Sequence, residues 1–216
     1  QAEITVTVSD QCGNQGSVVY HTRIDNQAPV WSTGTDDLNR SVSCNDAAGL
    51  QAAQVLAPAA TDQCPGEISY QRTAGTFNAA SCGLTGTYTN TWTATDACGN
   101  VSEVFTQVIR ITDNTAPGWV SAAGSLNRSV ACDNLSGLAS AQALMPEAAD
   151  LCGGDVIISK TAGILVSNGC GGSYTNTFVA TDACTNSSAT FTQVITIIDE
   201  QAPVWTSQAG SLDQTI

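Results

Sequence analysis

One motif recurs three times along this chain at a nearly fixed interval, and that recurrence limits the fold more than any other feature. Asn26-Gln-Ala-Pro-Val-Trp31 returns as Asn114-Thr-Ala-Pro-Gly-Trp119 and as Glu200-Gln-Ala-Pro-Val-Trp205, with Pro29, Pro117 and Pro203 spaced by 88 and 86 residues. Leu38-Asn-Arg-Ser-Val-Ser-Cys44 is matched by Leu126-Asn-Arg-Ser-Val-Ala-Cys132, and Tyr88-Thr-Asn-Thr-Trp92 by Tyr174-Thr-Asn-Thr-Phe178. Thr95-Asp-Ala-Cys98 is likewise matched by Thr181-Asp-Ala-Cys184. The chain therefore reads as a window on a tandem array. Residues 1–27 close one repeat, 28–115 and 116–201 are complete repeats, and 202–216 open another.

Each repeat carries strand chemistry. In Tyr88 to Thr95, Tyr88, Trp92 and Ala94 alternate with threonines, the period of a half-buried strand. Glu103 to Asp113 is rich in β-branched residues and follows the turn Asp96-Ala-Cys-Gly-Asn100, where Gly99 can take positive φ. The two runs predict a long antiparallel hairpin. Val18 to Asp25 reads as the closing strand of the preceding repeat, Asn39 to Cys44 and Ile68 to Thr73 as further strands, and Ala47 to Leu56 as a short helical turn stopped by Pro58. Several short strands in about 87 residues, with no long amphipathic helix, predict an all-β chain of tandem immunoglobulin-like β-sandwich domains.

A core that small leaves a narrow stability margin, so cross-links are expected, and nine cysteines in a chain with one methionine and one histidine indicate an oxidising compartment. No Cys-x-x-Cys occurs, which argues against zinc. In an immunoglobulin-like strand order Cys64 and Cys98 share one pole and Cys44 and Cys82 the other. The expected disulfides are then 44/82 and 64/98, and equivalently 132/170 and 152/184, with sequential pairing as the rival scheme. Cys12 is the odd cysteine, paired upstream of the window or else a free thiol.

Pro58-Ala-Ala-Thr-Asp-Gln-Cys64, Trp92-Thr-Ala-Thr-Asp-Ala-Cys-Gly-Asn100 and Gln107-Val-Ile-Arg-Ile-Thr-Asp-Asn-Thr-Ala-Pro117 resemble the hyalin-repeat (HYR-like) modules found in tandem in large secreted surface proteins of Bacteroidetes. These include adhesins of gliding motility exported by type IX secretion. The second repeat departs from the pattern at Thr185, which replaces a glycine and is expected to alter the turn. The resemblance implies an immunoglobulin-like fold and an extracellular structural or adhesive role, and implies no ligand.

Catalytic chemistry finds little to build on. His21 lies in an extended stretch, six basic residues are spread along the chain, and Gly169-Cys-Gly-Gly172 lacks the strand-to-helix context of a phosphate loop. A formal net charge of -13 repels nucleic acid and anionic membranes, and no apolar run is long enough to span a bilayer. No enzyme, no cofactor and no membrane insertion are expected. The aspartates are more informative. Asp25, Asp113 and Asp199 end the last strands, and the topology brings Asp25 toward Asp62 and Asp96, and Asp113 toward Asp150 and Asp182. Such oxygen clusters suit Ca²⁺ at interdomain junctions. The alternative is that these aspartates cap turns through hydrogen bonds to the backbone.

Trp31, Trp119 and Trp205 either anchor each incoming strand on its own domain, the favoured reading, or contact the preceding domain. The expected function is the stiff stalk or filament shaft of a secreted bacterial adhesin or fibre. Its partners are neighbouring repeats and other copies, joined side by side through edge strands if the chains assemble. A glycan- or protein-binding module is the alternative. Aromatic rings exposed on one sheet face would favour binding, and a threonine-covered face the shaft.

Overall fold

The computed structural model describes residues 2–22 and 25–214. The expected strand Val18 to Asp25 includes Arg23 and Ile24, and the expected opening of a repeat at its C-terminal end includes Thr215 and Ile216; these four lie outside the described residues. The chain divides into two units, one of Gln1–Ala80 with Thr85–Thr112, the other of Ser81–Leu84 with Asp113–Ile216.

The first unit opens with a regular hairpin, β1 (Ala2–Ser9) on β2 (Gln15–Thr22). Its main body runs β3 (Val30–Trp31), β4 (Arg40–Ser43), α1 (Ala47–Gln54), β5 (Ala60–Thr61), β6 (Ser69–Thr73), β7 (Asn78–Ala79), β8 (Gly86–Thr95) and β9 (Phe105–Thr112). One sheet has the order β4-β9-β8-β6, with β7 also on β8, and β3 pairs β5 in a small second sheet. Strand β4 runs parallel to β9, whereas β8 and β9 form the expected antiparallel hairpin with Trp92 opposite Phe105.

The second unit repeats this order: β10 (Gly118–Trp119), β11 (Arg128–Ala131), α2 (Leu135–Gln142), β12 (Ala148–Ala149), β13 (Ile157–Thr161), β14 (Val166–Ser167), β15 (Gly171–Thr181) and β16 (Phe191–Ile198). Its sheet has the order β11-β16-β15-β13 with β14 on β15, and β10 pairs β12. The all-β class expected from the sequence is therefore the observed one. The sandwich is lopsided, because the sheet opposite the five-stranded one consists of two-residue strands.

Period-two burial on β9 explains the core. Phe105, Gln107, Ile109 and Ile111 point inward while Thr106 and Arg110 stay exposed. Helix α1 starts where the Asp46 side chain accepts a hydrogen bond from Gly49 N at 2.8 Å, a side-chain N-cap. It buries Ala53, with Leu50 beside it, against Val42, Ile109 and Ile111. At the other end of the sheet Trp31 lies on Phe105 at 5.3 Å and Tyr70 at 6.2 Å, and donates its indole N–H to Glu103 O at 2.7 Å. Trp119 does the same with Phe191 and Ala189 O. Both rings anchor to their own units, the favoured reading of the two, while Trp205 is 93% exposed.

A polar layer separates the aliphatic and aromatic halves of each core. Asn90 and Gln107 are fully buried, as are Asn176 and Gln193. Asn90 accepts from Gly75 N and donates to Gln54 Oε1 and Gln107 Oε1, and Gln107 Nε2 donates to Leu38 O and Ala53 O. The same five bonds link Asn176, Gly163, Gln142, Gln193, Leu126 and Ala141 in the second unit. Buried amides are tolerated when their donors and acceptors are matched in this way.

Candidate functional site: the aspartate and cysteine pole

The ends of β8 and β15 lead into turns built by one aspartate. Asp96 accepts from Cys98 N, Asn100 N and Asn100 Nδ2 at 2.8–2.9 Å, and Asp182 accepts from Asn186 N and Nδ2. These bonds, the Asn100 side chain first, hold the Asp96 carboxyl below its ordinary value of 3.8, against the opposing effect of desolvation. Asn100 Nδ2 also donates to Asp25 O, and Asn186 Nδ2 to Asp113 O, which ties Asp25 and Asp113 to these turns. Thr185 sits at φ +74, beside +91 for Gly99 in the matching turn. The expectation that Thr185 alters the turn is thus corrected: the aspartate and asparagine hydrogen bonds impose the left-handed residue whichever side chain occupies it.

Within the first unit, carboxylate oxygens of Asp25 and Asp62 and the sulfur of Cys64 lie within 4.8 Å of one another. The Cys98 thiol is raised above its ordinary 9.0 by desolvation first, then by the charges of Asp25, Asp96 and Asp62. Cys64 and Cys98 therefore occupy one pole, the one the strand order predicts. Within the second unit a different set gathers, Asp113, Asp182 and Cys184, again within 4.8 Å, the equivalents of Asp25, Asp96 and Cys98. Asp113 is 8% and Asp182 6% exposed. Asp113 Oδ1 accepts from Thr115 N and Asp150 Oδ1 from Cys152 N. Asp113 Oδ2 and Asp150 Oδ2 are buried and accept no hydrogen bond. These aspartates do cap turns, as the alternative reading holds, and two of them keep an oxygen aimed elsewhere. Asp199 accepts from Gln201 N, and its charge helps to raise the thiol of Cys132 after desolvation.

The sulfurs pair differently from expectation. Cys82 bonds Cys184, with Cα atoms 5.1 Å apart and a sequence separation of 102. Cys44 and Cys152 are also disulfide-bonded, while Cys98, Cys132 and Cys170 are thiols. None of the expected pairs 44/82, 64/98, 132/170 and 152/184 is formed. The reason is geometric. Sharing a pole does not bring two Cα atoms within the roughly 4.4–6.8 Å a disulfide requires. The segment Ser81–Leu84 instead packs with the second unit, where Leu84 N donates to Cys152 O at 3.0 Å. Cys12 is an exposed thiol in the β1–β2 turn, held as Cys98 is, with Asp10 accepting from Cys12 N.

His21 faces Glu3 across β1–β2 at 3.3 Å, both exposed. Open grooves of about 490 Å³ beside Trp31 and about 420 Å³ beside Trp119 are lined mainly by threonine, serine, glycine and apolar groups, with Asp36 and Glu103 at the first. The outer face of the first unit's sheet is threonine-covered: Thr87, Thr89, Thr91, Thr93 and Thr95 on β8 lie beside Thr106, Val108, Arg110 and Thr112 on β9. Among the described strand residues no aromatic ring occupies the outer face of either large sheet.

Residues 32–111 match the family model of the HYR-like domain with 4 cysteines. No curated protein matches the chain. Among solved structures, human protocadherin-24 EC1-2 is similar at 14% identity, covering 82% of this chain and 100% of that one, with a TM-score of 0.32. Mouse clustered PcdhgC3 EC1-3 is similar at 11% identity, covering 91% and 77%, also at 0.32. No helix of the described residues is long and apolar enough to cross a membrane.

Proposed function

We propose that this chain is a non-catalytic structural segment of a secreted bacterial adhesin or fibre, a stiff stalk assembled from HYR-like repeats with the boundaries 28–115 and 116–201. The HYR-like match over 32–111 supports an extracellular adhesion-type module. The likeness of its cysteine and aspartate motifs to Bacteroidetes surface adhesins supports the placement on a gliding or attachment apparatus served by type IX secretion. The observation that carries the stalk reading is the outer sheet face, hydroxyl-covered and free of rings among the described strand residues. A recognition face ordinarily gathers several tyrosine, tryptophan or arginine side chains, and β8 and β9 present one arginine there, Arg110. The Trp31 and Trp119 rings beside the grooves are already packed on Phe105 and Phe191.

Electron microscopy of the native secreted protein tests this reading. The expected image is a thin shaft with an axial repeat of about 35 Å, the length of strands of about ten residues. Saturable binding to a glycan array, lost on Trp31→Ala or Trp119→Ala in folded protein, would overturn it in favour of a binding module.

A calcium site is a second element of the proposal, and a specific observation favours it. Asp113 Oδ2 and Asp150 Oδ2 are buried oxygens with no donor, in a chain of net charge -13. Buried carboxylates without partners are costly unless a cation meets them. Asp113, Asp150 and Asp182 supply hard oxygen ligands suited to Ca²⁺, and Asp25, Asp62 and Asp96 are their counterparts in the first repeat. Calorimetric titration is expected to show Ca²⁺ binding in the range of about 0.1–1 mM typical of extracellular modules, weakened by Asp113→Asn. Absence of Ca²⁺ binding would remove this element and leave the stalk intact.

A further inference from the structure

Cys82 and Cys184 occupy different positions in the repeat. Cys82 corresponds to Cys170, and Cys184 corresponds to Cys98 and to Cys12 in the turns Asp96-Ala-Cys98 and Asp10-Gln-Cys12. The Cys82–Cys184 bond therefore joins the loop cysteine of one repeat sequence to the turn cysteine of the following one.

The seat is built for this bond. Gly83 has φ +54, and a Cβ there would lie 2.9 Å from Gly153 O and 3.0 Å from Cys152 O, so only glycine admits the approach. Leu84 N completes it by donating to Cys152 O. Both cysteine positions recur in sequence without the bond. Cys170 is an exposed thiol followed, like Cys82, by a glycine, but Gly171 opens β15 and the loop is two residues shorter, with no counterpart of Leu84. Cys98 is an exposed thiol in the Asp96 turn, and Cys64-Pro65-Gly66 holds the place of Cys152-Gly153-Gly154.

We propose that Cys170 is half of a repeat-to-repeat staple whose other half is the Asp-x-Cys turn cysteine of a further copy of this repeat, with Cys98 offering the complementary half. This rests on the tandem-repeat reading above. The bond forms by exchange with a disulfide oxidant of the small-thiol class, such as glutathione disulfide. The Cys170 thiolate attacks the oxidant and releases one glutathione thiolate, and the partner thiolate then attacks Cys170 Sγ and releases the second. Two protein thiols lose two protons and two electrons, and the oxidant becomes two thiols.

Tryptic mapping of the secreted protein, denatured without reductant, makes the first test. Peptide 73–110, which holds Cys82 and Cys98, is expected to be joined to peptide 161–216, which holds Cys170 and Cys184, so that cleavage at Arg110 and Arg128 separates the halves only after reduction. Linkage of 41–72 to 73–110 and of 129–160 to 161–216 would overturn the proposal while leaving an oxidised tandem repeat. Nine alkylatable thiols in the unreduced protein would overturn the tandem, oxidised reading itself.

The second test mixes a chain carrying Cys12→Ser and Cys98→Ser with one carrying Cys170→Ser, under glutathione disulfide. A covalent dimer joined through Cys170 is expected in the mixture, with no dimer above background in either chain alone. A dimer joined through Cys132, or one formed by the Cys170→Ser chain alone, would overturn the assignment. All three substitutions fall on exposed thiols, so folding of the variants is checked directly by circular dichroism.

Discussion

Thr185 is the residue at which local preference and tertiary structure disagree most plainly. A β-branched side chain at φ +74 sits in the left-handed region it ordinarily avoids, and it stays there because Asp182 fixes both ends of the turn through Asn186. At Gly99 a Cβ would meet nothing within 4 Å, so the cost of a side chain there is torsional. Thr185→Gly is expected to stabilise the second unit by about 1 kcal/mol, and Gly99→Thr to destabilise the first by a similar amount, read from urea midpoints. Unchanged midpoints in both variants would show that the turn relaxes freely. The homologous turn in β1–β2 carries a pH signature. The Asn14 side chain first, and then its backbone amide, hold Asp10 below the ordinary 3.8, outweighing desolvation, with the Cys12 and Gly13 amides assisting. A depressed carboxyl stabilises the fold fully above its unfolded value, and that contribution is lost as pH falls through the folded one. NMR titration is therefore expected to place the Asp10 carboxyl below 3.8, with the Cys12 and Asn14 amide shifts following it, and Asn14→Ala is expected to move it upward.

At the scale of the element, the strands and the helix were legible because their signals are periodic. Threonine alternation gave β8, β-branched content gave β9, and the alanine-rich run before Pro58 gave α1. The polar layer was not legible, because asparagine and glutamine ordinarily mark surfaces. Yet Asn90 shares the parity of Tyr88 and Trp92, and Gln107 that of Phe105 and Ile109, so strand parity carried the signal. The repeated Leu38-Asn-Arg landmark gains a reason as well. Leu38 O accepts from Gln107, and Asn39 Oδ1 accepts from Val108 N at 2.7 Å, which seats β4 on β9. Asn90→Ala would strip Gly75 N of its acceptor and Gln54 and Gln107 of a donor, each unmet buried group costing about 1–3 kcal/mol. A loss of about 3 kcal/mol is expected in the first unit, and the same for Asn176→Ala in the second, measured by chemical denaturation. A loss well under about 1 kcal/mol would mean that water replaces the amide and that the layer is dispensable. Trp31→Phe keeps the ring on Phe105 but deletes the bond to Glu103 O. It should cost about 1 kcal/mol, less than truncation of the ring.

At the scale of the whole molecule, strand order was enough to place Cys64 and Cys98 at one pole, but sulfur pairing depends on which loop packs where, and Ser81–Leu84 packs outside its own repeat sequence. Parity and turn chemistry act over a few residues; a bond across 102 residues has no such local signal. Charge balance, by contrast, is read directly from the chain. Nineteen acidic against six basic residues leave the folded state repelling itself, so salt should stabilise it by screening up to a few tenths molar. Screening depends on ionic strength alone, whereas a site made by Asp113, Asp150 and Asp182 distinguishes between cations, because Ca²⁺ accepts irregular oxygen shells and Mg²⁺ demands a tight octahedron. Melting curves in NaCl, MgCl₂ and CaCl₂ at matched ionic strength separate the two effects. The Tm is expected to rise in all three and to rise further in CaCl₂ alone. A ligand at about 100 times its Kd adds about 2.7 kcal/mol, and Asp113→Asn should abolish that excess while leaving the common salt response in place. Coincident curves for the three salts would assign the whole effect to screening and leave the two buried carboxylate oxygens without a cation.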